Sequence, residues 1–339
     1  MKTPRVTVLM SVHDGGRWLR PAIDSVLAQT WTDFEFIIID DASTDDSAAQ
    51  VVAANDPRIR LVRLPENIGL TRSLNVGLRE ARGEFLARHD SDDLSGPQRL
   101  TKQVAFLETR PTTAVVGAQG RLIDADGRSR GNRNLPLEAT SVRWLSLFDN
   151  PVIHTAAMFR AAMVRDEFGG YDESFATCQD YDLWTRIMAR YEVRNLPERL
   201  VEVREHGGSI SALRRSEGTE AVRRVVGRIA TKAAGPLTAA EAELAVAFRR
   251  HIKGPEVTDF RALLTRWDAS FPGPSVDLDR TRAGLLVRLG YNLLSENRGA
   301  ALRQIWSAIR MFPPVIAEIP WPRVAALAVL GERARRLGR

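Results

Sequence analysis

The chain has 339 residues with an apolar fraction of 44%, which is typical of a folded globular protein and excludes global disorder. Lysine and arginine outnumber aspartate and glutamate and leave a net charge of +6. That excess serves solubility or attracts an anionic partner, such as a phosphate group or a membrane surface. The single cysteine, Cys178, excludes a disulfide within the chain and fits a cytoplasmic location.

The sequence predicts neither a secretory leader nor a membrane-spanning helix. Residues 1–5 lead straight into a strand-like run, without the apolar stretch and cleavage site of a signal peptide. A spanning helix needs about 20 predominantly apolar residues. The closest run, residues 311–331, is interrupted by Glu318, Arg323 and four prolines.

The first ninety residues alternate between two apolar periods. The pattern predicts strands and then helices in turn, with strands at 5–12, 34–39, 59–64 and 84–88 and helices at 17–29, 48–54 and 70–81. The second strand is almost continuously apolar, which suits an interior strand covered on both faces. Strand and helix alternation at this pitch indicates an α/β protein with a mostly parallel sheet and helices on both faces.

The rest of the chain is less regular. The predicted elements are a helix over 97–109, short strands near Val115 and Leu122, a loop over 127–134, a helix over 180–190 and a strand over 200–204. Alanine, arginine and leucine dominate after residue 211, which predicts helices separated by prolines. We therefore predict an α/β domain over residues 1–210 and a mainly helical C-terminal region over 211–339.

Acidic residues follow three of the predicted strands. Asp14 comes after the first strand, Asp40 and Asp41 close the second, and the cluster at 90–93 follows the fourth. Ligands of parallel sheets bind outside the carboxyl ends of the strands. We therefore expect these carboxylates to converge on one rim that holds a ligand.

The cluster at 90–93 has two interpretations. Several carboxylates at one strand end repel each other unless a cation is present, and their oxygens suit magnesium or manganese bound together with a diphosphate. Alternatively, the cluster is a solvated acidic turn or the cap of the next helix. Its place after two other acidic strand ends favours the metal interpretation.

Asp41 and Asp180 each have two interpretations as well. Asp41 is either an ordinary turn residue or a carboxylate that accepts a hydrogen bond from a nucleobase. Asp180 either caps its predicted helix, where aspartate contributes about 1 kcal/mol, or acts as a general base. Asp182, two residues later, points in another direction and is assigned a structural role.

These segments together resemble glycosyltransferase family 2. The runs VTVLMSVHDGG, FEFIIIDDASTDDS, NIGLTRSLNVGLREARGEFLARHDSDD and CQDYDLW occur in the order and spacing of that family, across about residues 4–210. The resemblance implies a GT-A fold, that is, a Rossmann-like nucleotide-binding domain with a mostly parallel mixed sheet flanked by helices. It also implies a nucleotide-diphosphate sugar donor, a divalent cation (Mn²⁺ or Mg²⁺) and inversion at the anomeric carbon.

The family pattern assigns several residues to the nucleotide. Ser11 and His13 match positions that line the nucleotide pocket, and Asp41 matches the aspartate that contacts the base. Arg72 lies where the family often places a residue near the nucleoside. Asp90, the first aspartate of the DxD motif, is expected near the ribose.

The same pattern assigns the metal and the chemistry. Asp92, with Asp90, is the expected metal ligand, and Asp180 matches the catalytic base. His206 resembles a histidine that approaches the diphosphate or the metal, although a surface loop histidine fits its position as well. His154 is either close to the acceptor or structural.

Two positions depart from the family pattern. His13 and Asp14 stand where the first-strand motif usually carries Tyr-Asn, and this weakens any assignment of the base. Gln179 and Asp180 stand where the family usually has Glu-Asp. The retained aspartate preserves the base, whereas the missing glutamate affects a contact to the acceptor or to the groups that orient it.

The resemblance therefore predicts a metal-dependent enzyme that transfers a sugar from a UDP- or dTDP-sugar to a hydroxyl of a glycan or lipid-linked acceptor, in bacterial surface polysaccharide synthesis. No nucleic-acid partner is expected. The alternatives are a non-catalytic nucleotide-sugar-binding protein and a sugar-phosphate nucleotidyltransferase, although the loop SVHDGGRW fits the latter poorly. A dinucleotide dehydrogenase would need the G-x-G-x-x-G pattern at that loop, and the sequence lacks it.

The C-terminal region has two interpretations. It is either a helical domain that packs on the first one or a peripheral contact with the inner face of the cell membrane, with aromatic side chains at the interface and arginines near anionic headgroups. The residues that suggest the second interpretation are Arg214, Arg215, Arg223, Arg224, Arg228, Trp306, Phe312, Trp321, Arg333, Arg335, Arg336 and Arg339.

Overall fold

The computed structural model describes residues 3–209, 215–234, 263–271, 273, 275–293, 298–311 and 313–314. The chain divides into two compact units. The first comprises Met1–Val142 and Asn150–Ala221, and the second comprises Arg143–Asp149 and Val222–Arg339. This division lies near the predicted boundary at residues 210 and 211, and it assigns a short segment within the first 210 residues to the second unit.

The first part of the first unit alternates strands and helices, as the apolar periods predict. Its elements are β1 (Val6–Val12), α1 (Gly16–Leu27), β2 (Phe34–Asp40), α2 (Ser47–Ala53), β3 (Ile59–Arg63), α3 (Leu70–Glu80) and β4 (Phe85–Arg88). Every residue of β1, β2 and β4 is buried. These strands carry nearly continuous apolar sequence because helices cover both faces of the sheet.

The following elements are less regular. They are β5 (Leu94–Ser95), α4 (Arg99–Glu108), β6 (Thr113–Ile123), β7 (Ser129–Arg133), α5 (Ala139–Leu145), a 3₁₀ turn (His154–Ala156), β8 (Met158–Arg160), a π-helical turn (Met163–Glu167), α6 (Gln179–Ile187) and β9 (Glu192–Arg204). The two short strands predicted near Val115 and Leu122 form one strand, β6. The predicted loop over 127–134 is wrong for β7, whose polar residues pair with β6 as a hairpin.

One mixed sheet runs through the described part of the first unit in the order β3-β2-β1-β4-β8-β6-β9-β5, with β7 paired to β6. β3, β2, β1 and β4 are mutually parallel. β8 is antiparallel to both β4 and β6, whereas β6 and β9 are parallel to each other. The prediction of a mostly parallel mixed sheet flanked by helices is therefore confirmed.

The core lies on both faces of this sheet because successive strand residues point to opposite sides. On one face Val8 and Met10 join a buried cluster with residues of α1 and α4. On the other face Leu9 and Ile37 join residues of α3 and α6. β1 and β2 are in register from Val6 opposite Phe34 to Val12 opposite Asp40, so the loops that follow them begin at the same edge.

The described helices after the sheet are α7 (Arg215–Ala234), α8 (Val276–Leu293) and α9 (Arg298–Met311). In the second unit, Ala283 and Leu286 of α8 and Ala308 of α9 form a small buried cluster. A C-terminal helical region is thus confirmed for the described segments. None of the helices in these segments is long and apolar enough to cross a membrane.

Several predictions fall on residues outside the described part of the chain. These are the prolines predicted to separate the C-terminal helices and most of the basic and aromatic residues of the membrane interpretation: Pro236, Pro255, Pro272, Pro274, Arg214, Phe312, Trp321, Arg333, Arg335, Arg336 and Arg339.

Candidate active site

The loops that follow β1 and β2 are tied together at the carboxyl edge of the sheet. Asp14 has a positive φ of 51°, and its Oδ1 accepts the amides of Thr44 at 2.7 Å and Asp45 at 3.2 Å. The hydrogen bond from Thr44 lowers the pKa of Asp14. Asp14 therefore lies on the predicted rim, where its carboxylate joins two loops.

Ser11 and His13 lie at the end of β1. Ser11 is buried in the strand, and His13 follows the strand with an exposed side chain. His13 Nδ1 lies 2.9 Å from the carbonyl oxygen of Asp41. Because a carbonyl only accepts, Nδ1 carries the proton and donates. This bond fixes the imidazole beside the end of β2.

Asp41 holds the segment that leads into α3. Its carboxylate is buried, with Oδ1 accepting the amide of Ile68 at 2.8 Å and Oδ2 accepting the amide of Gly69 at 2.9 Å. Gly69 has a φ of 85°, a left-handed conformation that suits glycine. The carboxylate of the adjacent Asp40 instead pairs with Arg63, with 3.0 Å between Oδ2 and Nε. A contact between Asp41 and a base stays a prediction, and it would use the lone pairs that these amides leave.

Arg72 lies in the first turn of α3 with its side chain largely exposed, and it contacts Glu173 at 3.5 Å. It follows directly on the segment that Asp41 holds. The structure thus connects three of the residues predicted at the nucleotide: His13 bonds to Asp41, Asp41 holds the entry to α3, and Arg72 stands on that helix.

The acidic loop after β4 contacts the buried side chain of Arg88. The guanidinium of Arg88 is fully buried and pairs with the carboxylate of Asp90, whose amide donates to Thr155 Oγ1 at 3.0 Å. Burial raises the pKa of Asp90, and the charges of Asp92 and Asp180 raise it further, whereas Arg88 lowers it. Asp90, Asp92 and Asp180 therefore share one negative region.

His206 follows the C-terminal end of β9 and contacts the acidic loop. Its Nε2 lies 2.9 Å from Asp92 Oδ2, and its Nδ1 accepts the amide of Gly208 at 3.2 Å. The proton is therefore on Nε2, which donates to Asp92. The indole of Trp18 packs on the imidazole with 4.1 Å between ring centroids. The structure thus brings His206 and Asp92 together, and a metal shared by them stays a prediction.

Arg204 and Asp93 hold the acidic loop against β9. The Arg204 amide donates to Asp93 Oδ1 at 2.7 Å, and its Nε donates to the Asp92 carbonyl at 2.9 Å. Asp93 is buried, and burial together with the charges of Asp90 and Asp92 raises its pKa well above the usual range. The third aspartate of the cluster therefore has a structural position that differs from those of the first two.

Asp180 lies in the first turn of α6, after Cys178, whose left-handed backbone has a φ of 59°. Its Oδ2 accepts a hydrogen bond from Asn150 Nδ2 at 2.6 Å. Asp182 is fully buried and pairs with Arg186 at 2.8 Å, which agrees with the structural role assigned to it. The two carboxylates of this helix thus point to different surroundings.

His154 is the first residue of the 3₁₀ turn. Its Nε2 lies 3.0 Å from the hydroxyl of Tyr171, and its ring meets the ring of Trp184 edge to face. Burial, with the nearby charge of Arg88, lowers the pKa of His154 well below its usual value. A neutral histidine packed between two aromatic rings fits the structural interpretation of His154.

Four residues at the site were not identified from the sequence: Trp18, Arg88, Asn150 and Arg204. Arg88 and Arg204 read as parts of strands, and Trp18 reads as part of the face of an amphipathic helix. Asn150 precedes a proline, which predicts only a turn. Nothing in the local pattern could show which residues these side chains contact.

The residues in the described part of the chain form no ready-made cluster of three or more histidine, cysteine or carboxylate side chains around a metal position. Asp92 and His206 contact each other, and Asp90 faces Arg88.

Comparisons with known proteins agree with this architecture. Residues 7–168 match the sequence model of the family described as Glycosyl transferase family 2. The chain is 38% identical over 208 residues to the putative glycosyltransferase EpsE of Bacillus subtilis, a match covering 60% of this chain and 73% of EpsE. It is 32% identical over 189 residues to the amylovoran biosynthesis glycosyltransferase AmsE of Erwinia amylovora, covering 55% of this chain and 70% of AmsE.

Similar folds occur in crystal structures of residues 1–349 of S. aureus TarS, in complex with UDP and with UDP-GlcNAc. The TM-scores are 0.55 and 0.56, at sequence identities of 17% and 16%. The matches cover 99% and 93% of this chain, and 92% of the TarS chain in both cases. At this identity the likeness concerns the fold.

Proposed function

Because the chain belongs to glycosyltransferase family 2 and has a GT-A fold, we propose that it is an inverting enzyme that moves a sugar from a nucleotide-diphosphate sugar to an acceptor hydroxyl. The observation that carries the proposal is the position of Asp180 near the acidic loop. The negative charge of Asp180, like that of Asp92, raises the pKa of Asp90. The residues that we propose as the base and as the metal ligands thus lie in one region. Binding alone would not need the base.

The donor site we propose lies along the carboxyl edge of β1, β2 and β4. Ser11, His13 and Asp41 would line the nucleotide pocket, Arg72 would lie near the nucleoside and Asp90 near the ribose. Two carboxylates at the end of a strand suit a nucleotide whose phosphates arrive with a cation. We propose a UDP- or dTDP-sugar, and the UDP complexes of TarS support this class of donor.

The residues fit a bound Mn²⁺ or Mg²⁺. Oxygen ligands suit these hard cations, which are often bound by one or two carboxylates plus substrate phosphates. Asp90 and Asp92 supply the carboxylates, and their mutual repulsion would be relieved by the positive charge. His206 could join through Nε2 only in its other tautomer, which would displace the Gly208 amide from Nδ1. When bound, the cation would neutralise charge on the departing diphosphate.

The transfer step then depends on Asp180. Its carboxylate would accept the proton of the acceptor hydroxyl while that oxygen attacks the anomeric carbon of the donor. The bond from the anomeric carbon to the diphosphate breaks as the new glycosidic bond forms, and the diphosphate leaves with the bonding electrons. A single displacement inverts the configuration, so an α-linked donor gives a β-linkage.

The acceptor we propose is a glycan or a lipid-linked saccharide of bacterial surface polysaccharide synthesis. Amylovoran biosynthesis, in the name of AmsE, supports this setting. A lipid-linked acceptor would be reached by a peripheral contact with the inner face of the membrane. On α9, Trp306 and Leu302 are 60% and 47% exposed, and the helix carries arginines but no acidic residue, which favours an anionic surface.

A nucleotide-release assay tests the proposal. Donors would first be chosen by thermal shift with manganese, since a bound ligand raises the melting temperature. The expected result is nucleoside diphosphate release that depends on the acceptor. Donor binding without release, over a broad acceptor panel, would support the non-catalytic alternative. Release of pyrophosphate from a nucleoside triphosphate and a sugar phosphate would support the nucleotidyltransferase.

A further inference from the structure

We infer that Asn150 is a positioning residue for the transfer reaction, and that it orients the carboxylate of Asp180 toward the acceptor hydroxyl. This inference rests on the proposed function, in which Asp180 is the base. The backbone of α6 places only the Cα and Cβ of Asp180. The direction of its carboxylate plane depends on what the oxygens contact.

The contact is short and directional. Asn150 Nδ2 donates to Asp180 Oδ2 at 2.6 Å. The amide orientation is consistent with its other contact, since Asn150 Oδ1 faces the amide of Val152 at 3.4 Å. A carboxylate accepts but cannot donate when ionised, so the nitrogen of the Asn150 amide must be the atom that faces Asp180.

The segment that carries Asn150 is held by a hydrogen bond to β9. Pro151 follows directly, and its ring restricts φ to about −65°. The carbonyl of Pro151 accepts a hydrogen bond at 3.0 Å from Asn195 Nδ2, which also donates to the Pro136 carbonyl at 2.7 Å. Asn195 is itself buried in β9. The turn that begins at Asn150 is therefore anchored to β9 through Asn195.

This arrangement has a chemical consequence. With Oδ2 bound to the amide, rotation of the Asp180 carboxylate about its Cβ–Cγ bond is restricted. The lone pairs of the carboxylate then keep one direction while the acceptor approaches. A base must lie within hydrogen-bond reach of the proton it removes, and a misplacement of about 1 Å can lower a rate on the order of 100-fold. Asn150 thus acts on the rate of transfer through Asp180.

The test is a double-mutant cycle in the full chain with the donor and acceptor established for the wild type. Asn150→Ala is expected to lower kcat by roughly 10–100-fold while the KM for the donor stays the same. In the Asp180→Asn background, the same substitution is expected to leave the residual transfer rate unchanged, because no base remains to be oriented. Asn150→Leu, which roughly keeps the size and removes the amide donor without adding a charge, should lower kcat in the same way.

The control is Asn134→Ala, an exposed asparagine on the connection between β7 and α5 that contacts Arg199, and it should keep the wild-type kcat. A wild-type kcat in Asn150→Ala would overturn the inference. So would an equal fold-loss in both backgrounds, since that result indicates a structural role independent of Asp180. Absence of transfer by the wild-type chain would instead overturn the proposed function, and the inference with it.

Discussion

Asp180 is the residue on which the enzyme hypothesis depends. Asp180→Asn keeps the size of the side chain, and the new amide can still present its oxygen to Asn150 Nδ2. We expect the transfer rate to fall by about 10²–10⁴-fold, the usual contribution of a general base. Donor and metal affinity, measured by calorimetry, should stay close to the wild-type values.

The same variant separates catalysis from helix capping. Asparagine and aspartate cap helices about equally well, so a capping role predicts near-wild-type transfer by Asp180→Asn. That outcome, with the correct donor and acceptor, would refute the assignment of the base. A loss of donor affinity would instead move Asp180 to a binding role.

Asp92 and Asp93 are neighbours with different surroundings, and their variants should differ. Asp92 is partly exposed and contacts His206. Asp92→Ala should therefore lower the stabilisation of the transition state by about 3 kcal/mol or more, the scale of one strong electrostatic contact. Its melting temperature without ligand should change little. Asp93→Ala removes a buried acceptor of the Arg204 amide and should lower the melting temperature.

Calorimetry with UDP and dTDP, with manganese and with chelator, checks the metal part of this prediction. The wild type should bind the nucleotide more tightly with manganese, and Asp92→Ala should lose that difference. Asp24→Ala, an exposed carboxylate of α1 that pairs with Arg20, is the matched control and should behave as the wild type. Equal wild-type affinity with and without chelator would refute the metal assignment.

Two helical glycines differ in what surrounds them. In α3, a Cβ added at Gly77 would lie 2.1 Å from Leu9 Cδ1, and Leu9 is fully buried in β1. Gly77→Ala is therefore expected to cost about 1–3 kcal/mol, the usual effect of overpacking a core. In α7, a Cβ added at Gly227 would lie more than 4 Å from the atoms of the described residues outside its own helix backbone and chain neighbours. Gly227→Ala should stabilise its helix by about 0.5–1 kcal/mol.

Thermal unfolding followed by circular dichroism checks this pair of variants. The physical reason for the difference is that α3 approaches β1 closely, which only a residue without a side chain allows. An unchanged melting temperature in Gly77→Ala would mean that Leu9 can repack. A loss of stability in Gly227→Ala would show that the surroundings of α7 differ from those described.

The elements also show where local pattern is informative. β1, β2 and α1 are predictable because burial on two faces, or on one helical face, imposes an apolar period on the sequence. The sequence predicts a loop at β7 because its residues are polar, whereas its strand conformation comes from hydrogen bonds to β6. β8, which joins the two halves of the sheet, has three residues, too few to show a period.

For the molecule as a whole, the proposed membrane contact involves the second unit, which contains α9. Vesicle flotation at low salt should show binding to anionic vesicles of phosphatidylglycerol and phosphatidylcholine, and none to phosphatidylcholine alone. Each arginine near an anionic surface contributes about 1 kcal/mol. Replacing the exposed Arg303 and Arg310 of α9 with glutamate should therefore lower binding by more than tenfold.

Matched variants distinguish this contact from nonspecific binding to vesicles. Trp306→Ser removes the exposed aromatic side chain of α9 and should weaken binding. Val52→Ser, at an exposed valine of α2 in the first unit, should have no effect. Equal recovery of the wild type on anionic and neutral vesicles would remove the membrane interpretation.

The linear order of residues was sufficient to predict an α/β fold, a rim of carboxylates at the ends of β1, β2 and β4, and the family. These features depend on local periodicity and on short motifs, which the chain carries within single elements. The rule that parallel strands end at one edge then places Asp41 and Asp90 on one rim of the sheet.

Only the tertiary structure could show how these side chains are held. Asn150 meets Asp180, Arg88 lies buried behind Asp90, and Trp18 packs on His206. Two of these pairs join residues that are 30 or more positions apart, and no local pattern encodes such a contact. Arg88 is two positions from Asp90, yet its burial depends on the packing of β4 between β1 and β8. The chemistry of the site is thus visible in its motifs, whereas the orientation of each group is decided by packing between distant parts of the chain.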